Sequence, residues 1–330
     1  VVDPGIALSD SCIYIVDHAP QSRICPVLGF SRDCSLRFAK RLKGRGPGEI
    51  LGVSNFYVKD NKLCIFDDSS MKIYQYDSNG KFTDKINAIK IMKCVDMLFP
   101  IDSSHYMGFY TCDPEAEEPF IEIYDDKFRC LSGFLDLPDA VISLTGTPNT
   151  YSHRGKTKFI IPFLYDIYST DDSCRVSLDY SLQFDKMFND SDLKELERKE
   201  GFMDRFLYEC TSANARHFFD FAETDRYLTF KFTQDNDTRV ALYDKVKQET
   251  YALDLVLNND LKHDIFAQLR VLASDQDNIY AYILYGTLKS SVEQSGNSGQ
   301  LMEFINDLDS YSERYSLEAG DYVFIKVKMK

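Results

Sequence analysis

The chain has 330 residues, 44% of them hydrophobic and 27% charged, with a net charge of −14 at pH 7. That balance is the balance of a soluble globular protein, built as two ordinary domains or as one large repeat-built domain. A surface this acidic, with no Lys/Arg cluster, repels a phosphate backbone and anionic lipid, and no run approaches the roughly 20 apolar residues of a membrane span.

The 24 Phe and 21 Tyr favour strands, where flat side chains pack on a pleated face. Residues 11–42 read as three strands: Ile13 to Val16, Arg23 to Phe30 and Leu36 to Leu42. The clearest unit is 52–86. There Phe56 to Val58, Leu63 to Phe66, Lys72 to Tyr76 and Lys81 to Ile86 are separated by polar turns, and Asn79-Gly80 is a strong hairpin signal. Four antiparallel strands in sequence order make one blade of a β-propeller.

The unit recurs over 93–135, 139–184, 216–253 and 269–328, giving six in all. In 139–184 three strands are legible, Phe159 to Leu164, Asp166 to Ser169 and Arg175 to Phe184. Tyr76-Asp77, Tyr124-Asp125 and Tyr243-Asp244 echo one another at strand ends, and Asp17, Asp67 and Asp113 follow at similar spacing. Two segments break the pattern. Residues 190–209 predict a helix capped by Asp192, with Glu195 completing a capping box. Residues 288–312 begin Ser- and Gly-rich and end in a short amphipathic helix over 300–311. Both are too short for cores of their own, so the expectation is a single six-bladed propeller domain over 1–330, all-β with two helical insertions. Residues 1–9 either complete the last blade or open the first.

The segment Arg41-Leu42-Lys43-Gly44-Arg45-Gly46-Pro47-Gly48-Glu49-Ile50 resembles the glycine-rich turn of a TolB-like six-bladed propeller family of exported Bacteroidetes lipoproteins. Residues 175–184, Phe221 to Leu228, Leu257 to Asp260 and Tyr322 to Lys328 resemble further segments of that family, in order. Glu318-Ala319-Gly320-Asp321 departs from it where Asn-Pro is usual. The resemblance implies export to the periplasm or outer-membrane surface, with a lipid anchor on an N-terminus outside this sequence. It implies no activity.

The Gly44–Glu49 turn is the leading local motif. Structurally, Gly46 and Gly48 permit unusual φ, Pro47 fixes the turn and Glu49 accepts backbone N–H bonds. Functionally, its amides and Arg45 would hold an anion, with Arg45 and Glu49 as ligand-binding residues, although the Lys-Ser/Thr of a phosphate-binding P-loop is missing. Acidic turns at 67–68, 125–126, 171–172 and 235–237 lack EF-hand spacing and read as solvated turns. His18, His105, His153, His217 and His263 form no metal or catalytic motif, and no GxSxG elbow occurs. Nine cysteines without a CxxC pair read as buried free thiols, with a Cys25–Cys34 disulfide as the alternative.

No catalytic residue, resident metal or cofactor is therefore expected, with a channel-bound calcium left open. The reading is a monomeric, non-enzymatic binding or scaffold propeller for an unidentified protein or small-molecule ligand. The alternative is a lactonase- or lyase-like enzyme whose channel metal would draw on Asn55, Asp96, Asn149, Asn214 and Glu223.

Overall fold

The computed structural model describes residues 5–16, 25–88, 95, 97–109, 121–134, 149–161, 163–170, 174–253, 268–294 and 321–329. Its strands form six antiparallel sheets that follow one another in chain order. Blade 1 is β1 (Gly5–Leu8), β2 (Cys12–Val16), β3 (Pro26–Ser31) and β4 (Leu36–Arg41). Blade 2 is β5 (Asn55–Lys59), β6 (Lys62–Asp67), β7 (Lys72–Tyr76) and β8 (Phe82–Asn87). Blade 3 is β9 (Met97–Pro100), β10 (His105–Phe109), β11 (Ile121–Asp125) and β12 (Cys130–Phe134). Blade 4 is β13 (Asn149–His153), β14 (Lys156–Ile161), β15 (Asp166–Thr170) and β16 (Val176–Ser181). Blade 5 is β17 (Arg216–Glu223), β18 (Tyr227–Gln234), β19 (Asp237–Asp244) and β20 (Glu249–Leu253). Blade 6 shows β21 (Arg270–Ser274), β22 (Asn278–Leu284) and β23 (Tyr322–Lys328). The fold is a six-bladed β-propeller of meander sheets.

Burial explains the strand sequences. The second strands pack on both faces and read as apolar runs: every residue of Cys12–Val16 is buried, as are Leu63 to Asp67 in β6. Such strands lose the alternation of a half-exposed sheet. Fourth strands alternate with charge and stay exposed, as Leu36–Arg41 and Phe82–Asn87 do, which blunts the outer edge of each blade.

The chain ends resolve one alternative. β1 pairs antiparallel with β2, so residues 5–8 open blade 1. β23 pairs with β22 along its whole length, Asn278 opposite Lys328 and Leu284 opposite Tyr322.

The helices differ from expectation. The predicted helix over 190–209 is two, α1 (Asp190–Glu197) and α2 (Phe202–Thr211), interrupted around Gly201, whose φ is 86°. Asn189, not Asp192, is the N-cap: its side chain accepts from the amides of Ser191 and Asp192, and Asp192 returns the bond to the Asn189 amide. A third helix, α3 (Tyr285–Gln294), follows β22 directly. Its buried residues Tyr285, Leu288 and Ser291 lie three apart, too sparse an apolar stripe to stand out among serines. The helix expected over 300–311 lies outside the described residues.

Residues 1–150 with 155–211 form one compact unit, and residues 151–154 with 212–330 form a second. In the first, clusters around Tyr14, Ile65 and Tyr76, around Phe66, Leu98 and Tyr106, and around Phe109 and Phe159 fill the spaces beside the sheets. In the second, Ala222, Val271, Ile279, Ile283 and Leu288 form the core.

No disulfide joins any two of the seven described cysteines. Cys12, Cys25 and Cys64 are buried as expected, but Cys34 and Cys130 are exposed, because each lies in or beside an outer-edge turn rather than in a second strand.

Candidate functional site

The Gly44–Glu49 turn closes on itself. Glu49 Oε2 accepts the Gly46 amide at 2.7 Å, and the Glu49 amide donates back to the Gly46 carbonyl at 3.0 Å. The carboxylate lies over Gly44, where a Cβ would come within 2.0 Å of Oε2. Tyr76 donates its hydroxyl to the Gly48 carbonyl at 2.9 Å, tying the turn to blade 2. Only Gly48 has a positive φ, 73°; Gly46 does not, contrary to the sequence reading. Arg45 is exposed. The geometry thus spends one of the two residues, Glu49, on its own turn.

Of the candidate metal residues, Asn55 and Asn149 belong to the first unit and Asn214 and Glu223 to the second. Asn55 is a clamp between first strands: its amide nitrogen donates to the Leu98 carbonyl at 2.7 Å and its oxygen accepts the Leu98 amide at 3.1 Å. Asn214 precedes β17 and Glu223 ends it, so they stand at opposite ends of that strand. Asn149 begins β13, and Asp96 lies outside the described residues. Two of the acidic turns expected to be solvated are instead buried at Asp67 and Asp125 and committed to backbone donors, and residues 171–172 lie outside the described residues. Asp67 accepts the amides of Leu51 and Ser70, and Asp125 those of Lys127 and Arg129.

Glu223 instead centres a buried polar cluster within the second unit. Tyr151, His153 and Arg154 come from β13 and its turn, Asp225 from the turn after β17, Lys245 from the turn after β19, and Ser274 from the end of β21. The Glu223 carboxylate is 1% exposed. Its Oε1 accepts from Lys245 Nζ at 2.7 Å and its Oε2 from the Tyr151 hydroxyl at 3.1 Å. Lys245 Nζ also donates to the Thr224 carbonyl at 2.7 Å. His153 Nδ1 donates to the Glu223 carbonyl at 3.0 Å, a contact that assigns the proton to that nitrogen. Its Nε2 then faces Glu223 Oε1 and Asp225 Oδ1, each at 3.8 Å. Ser274 Oγ accepts the Glu223 amide at 2.9 Å.

At the rim, Arg154 Nε donates to Asp225 Oδ1 at 2.9 Å. That bond holds the Asp225 carboxyl below the usual carboxylate range, against the opposing effect of burial. Two carboxylates, Glu223 and Asp225, face two cations, Lys245 and Arg154, with the His153 imidazole beside them. Both Glu223 oxygens are hydrogen-bonded within the cluster. Tyr151 stacks on Phe221 at 5.4 Å and 4°, fixing the hydroxyl.

The sequence pointed to Glu223 but missed its partners. β13, Asn149–His153, has one apolar residue in five and reads as loop. Its strand state comes from pairing, and His153 and Tyr151 are found only through it.

Among the described residues, one group of three His, Cys, Asp or Glu side chains brings its ligand atoms within 4.8 Å of one another: Asp102, His105 and Cys174. It belongs to the first unit. Burial pushes the Asp102 carboxyl up, but the amides of Ser104 and His105 and the imidazole outweigh it, leaving it at about 2.

Residues 5–281 match the model of the family described as 6-bladed beta-propeller, DUF5128. No curated protein matches the sequence. Among solved structures, a Bacteroides fragilis protein inferred to be exported is similar at TM-score 0.72 and 17% identity, over 98% of this chain and 89% of that one. A DUF4221 protein of Bacteroides vulgatus is similar at TM-score 0.51 and 8% identity, over 84% and 86%. Virginiamycin B lyase of Staphylococcus aureus reaches TM-score 0.42 at 8% identity, over 84% and 76%, a likeness too slight to bear on chemistry. At these identities the likenesses speak for the fold alone. With 277 consecutive residues matched to its model, running from β1 into β22, the chain belongs to the DUF5128 family of six-bladed β-propellers.

Proposed function

We propose that the chain is a non-enzymatic binding or scaffold propeller of the bacterial cell envelope, one domain over 1–330, exported and held there by a lipid anchor on a longer N-terminus. The observation that carries the first part is the closed state of the Glu223 cluster. Its carboxylate, the most buried acid of that group, is committed to Lys245 and Tyr151, and its histidine donates to a backbone carbonyl. A hydrolytic or lyase site needs a base in reach of substrate, and the partners of Glu223 hold its carboxylate away from that role. Export is supported by the similarity to the B. fragilis protein.

The test combines binding with turnover. The purified chain is screened by thermal shift against envelope oligosaccharides and peptides, and each mixture is then analysed by mass spectrometry. A compound that raises the melting temperature and is recovered unchanged supports a binding module. A compound consumed in many-fold excess over protein overturns it. Fractionation of cells carrying the full gene tests the location, with recovery in the envelope fraction as the expected result.

A further inference from the structure

We infer that Asp102, His105 and Cys174 form a binding site for one divalent transition-metal ion, zinc by preference, with an open fourth position. This inference does not rest on the function proposed above. Asp102 lies in the β9–β10 turn and His105 opens β10, and the third ligand arrives from 72 residues after Asp102, in the β15–β16 turn. Cys174 Sγ lies 3.9 Å from Asp102 Oδ2, and His105 Nδ1 lies 2.8 Å from the same oxygen. Tetrahedral zinc, with bonds of about 2.0–2.3 Å, sets its ligands roughly 3.4–3.6 Å apart. Shifts of about half an ångström would therefore admit the ion.

The carboxylate is divided for the task. Asp102 Oδ1 is held by the amides of Ser104 at 2.6 Å and His105 at 2.8 Å, and by the Ser104 hydroxyl at 3.1 Å. Oδ2 is turned toward the imidazole and the thiol. Asp102 and His105 are 32% and 30% exposed, which leaves an approach for the ion and for a water or exogenous fourth ligand.

In four blades the first residue of the second strand donates its amide to a side-chain oxygen three residues earlier. The pairs are Cys12 with Ser9 at 2.9 Å, His105 with Asp102 at 2.8 Å, Tyr227 with Thr224 at 3.0 Å and Asn278 with Asp275 at 2.9 Å. The turn asks nothing of the side chain at this position, since thiol, imidazole, phenol and amide all serve. The imidazole at 105 is therefore surplus to the fold, and a thiol faces it across the blade boundary. Thiolate, imidazole and carboxylate together suit zinc, and also cobalt as a probe, rather than calcium or magnesium.

Binding replaces the Sγ proton, which leaves to solvent as the thiolate bonds the ion. The imidazole moves its proton to Nε2 and presents Nδ1. The experiment uses the full chain, reduced and stripped with chelator. Cobalt titration is expected to give one saturable equivalent with a thiolate-to-metal charge-transfer band, displaced by zinc. Cys174→Ser should abolish the band, and both it and His105→Gln should weaken zinc by at least about 10–100-fold, the loss known for disturbing a metal site's supporting residues. Cys34→Ser and Cys130→Ser should leave the band intact. On the unmutated protein, saturating zinc should protect Cys174 from alkylation, read by peptide mass spectrometry, so the conclusion survives if a variant fails to fold. Absence of a charge-transfer band at one equivalent, its persistence in folded Cys174→Ser, or unchanged alkylation of Cys174 under zinc would each overturn the site.

Discussion

Replacing Lys245 with Met should be one of the most damaging single substitutions in blade 5. The substitution keeps the apolar stem and removes the ammonium that meets Glu223 Oε1 at 2.7 Å. Glu223 is 1% exposed and Lys245 19%, so the acid cannot recover hydration when its partner goes. It would retain the Tyr151 hydroxyl at 3.1 Å, with His153 Nε2 at 3.8 Å. An orphaned buried charge of this kind costs about 3–5 kcal/mol. Glu223→Gln should be milder, about 1–2 kcal/mol, because Lys245 keeps the Thr224 carbonyl and some solvent. The decisive variant is the double one. With both charges gone no buried ion is left unpaired, so Glu223→Gln with Lys245→Met should unfold at higher urea than Lys245→Met alone, a coupling of about 2 kcal/mol. Tyrosine fluorescence can follow the unfolding, as the chain has no Trp. If the double variant loses as much stability relative to the wild type as the two single variants added together, Glu223 is not held as a buried paired carboxylate, and the case for a closed cluster fails with it.

In the Gly44–Glu49 turn, Gly48→Ala should cost about 1–3 kcal/mol, since φ is 73° and a Cβ would lie 2.6 Å from the Phe82 Cβ; Glu49→Ala, losing an exposed bond, should cost about 1 kcal/mol, and Arg45→Ala almost nothing in thermal melts. Alkylation of the native protein should modify Cys34 and Cys130 quickly and Cys12, Cys25 and Cys64 slowly; burial pushes the Cys64 thiol up to about 12, so its thiolate is scarce even at pH 9, and fast labelling there would contradict the packing. Acid should expose the role of Asp275. Burial raises its pKa, but the Tyr280 hydroxyl at 2.7 Å, the Asn278 amide group and two backbone amides outweigh it, so the carboxyl titrates below its unfolded value of about 3.9. A depressed folded pKa gives stability that is present above that value and lost as pH falls through the lower one. The stability gap between the wild type and Asp275→Asn should therefore be constant near neutrality and shrink below about pH 4 in denaturant titrations.

How much of this was legible depends on the kind of residue. Second strands such as Leu63 to Phe66 announce themselves because burial on both faces demands an apolar run. The Tyr-Asp echo was legible for an equally physical reason. Asp77, Asp125 and Asp244 each follow that tyrosine and each take two amides of the ensuing turn. A repeated backbone need leaves a repeated residue. β13 left no such trace, since a strand made by its neighbours' pairing needs no apolar residues of its own. The break at Gly201 was legible as a glycine but not as an interruption, because the residues on either side continue a helical pattern. Convergence at Glu223, and of Cys174 on Asp102, was invisible: residues some 70 apart meet only once the blades are built.

That last gap indicates where function should be sought in a repeat fold. Positions that every blade must satisfy carry caps and turn residues, and these are spent on structure. The turn between third and fourth strands illustrates this. Its left-handed position is filled by Cys34, Gly80, Phe128, Cys174 and Gln248 in successive blades, at φ between 57° and 71°. The backbone requirement is common to all five, so a left-handed φ at Cys174 is no sign of function in itself. What differs is the side chain and what stands opposite it. Gly80 lies against the Phe38 ring, and Phe128 packs on Tyr106 at 5.1 Å, both answers to packing. Cys174 alone of these five is drawn together with an imidazole and a carboxylate among the described residues. His105, in turn, fills a position where three of the other blades place cysteine, tyrosine and asparagine. Two departures from the repeat that each look neutral alone become a chemical site because the fold brings them to one place.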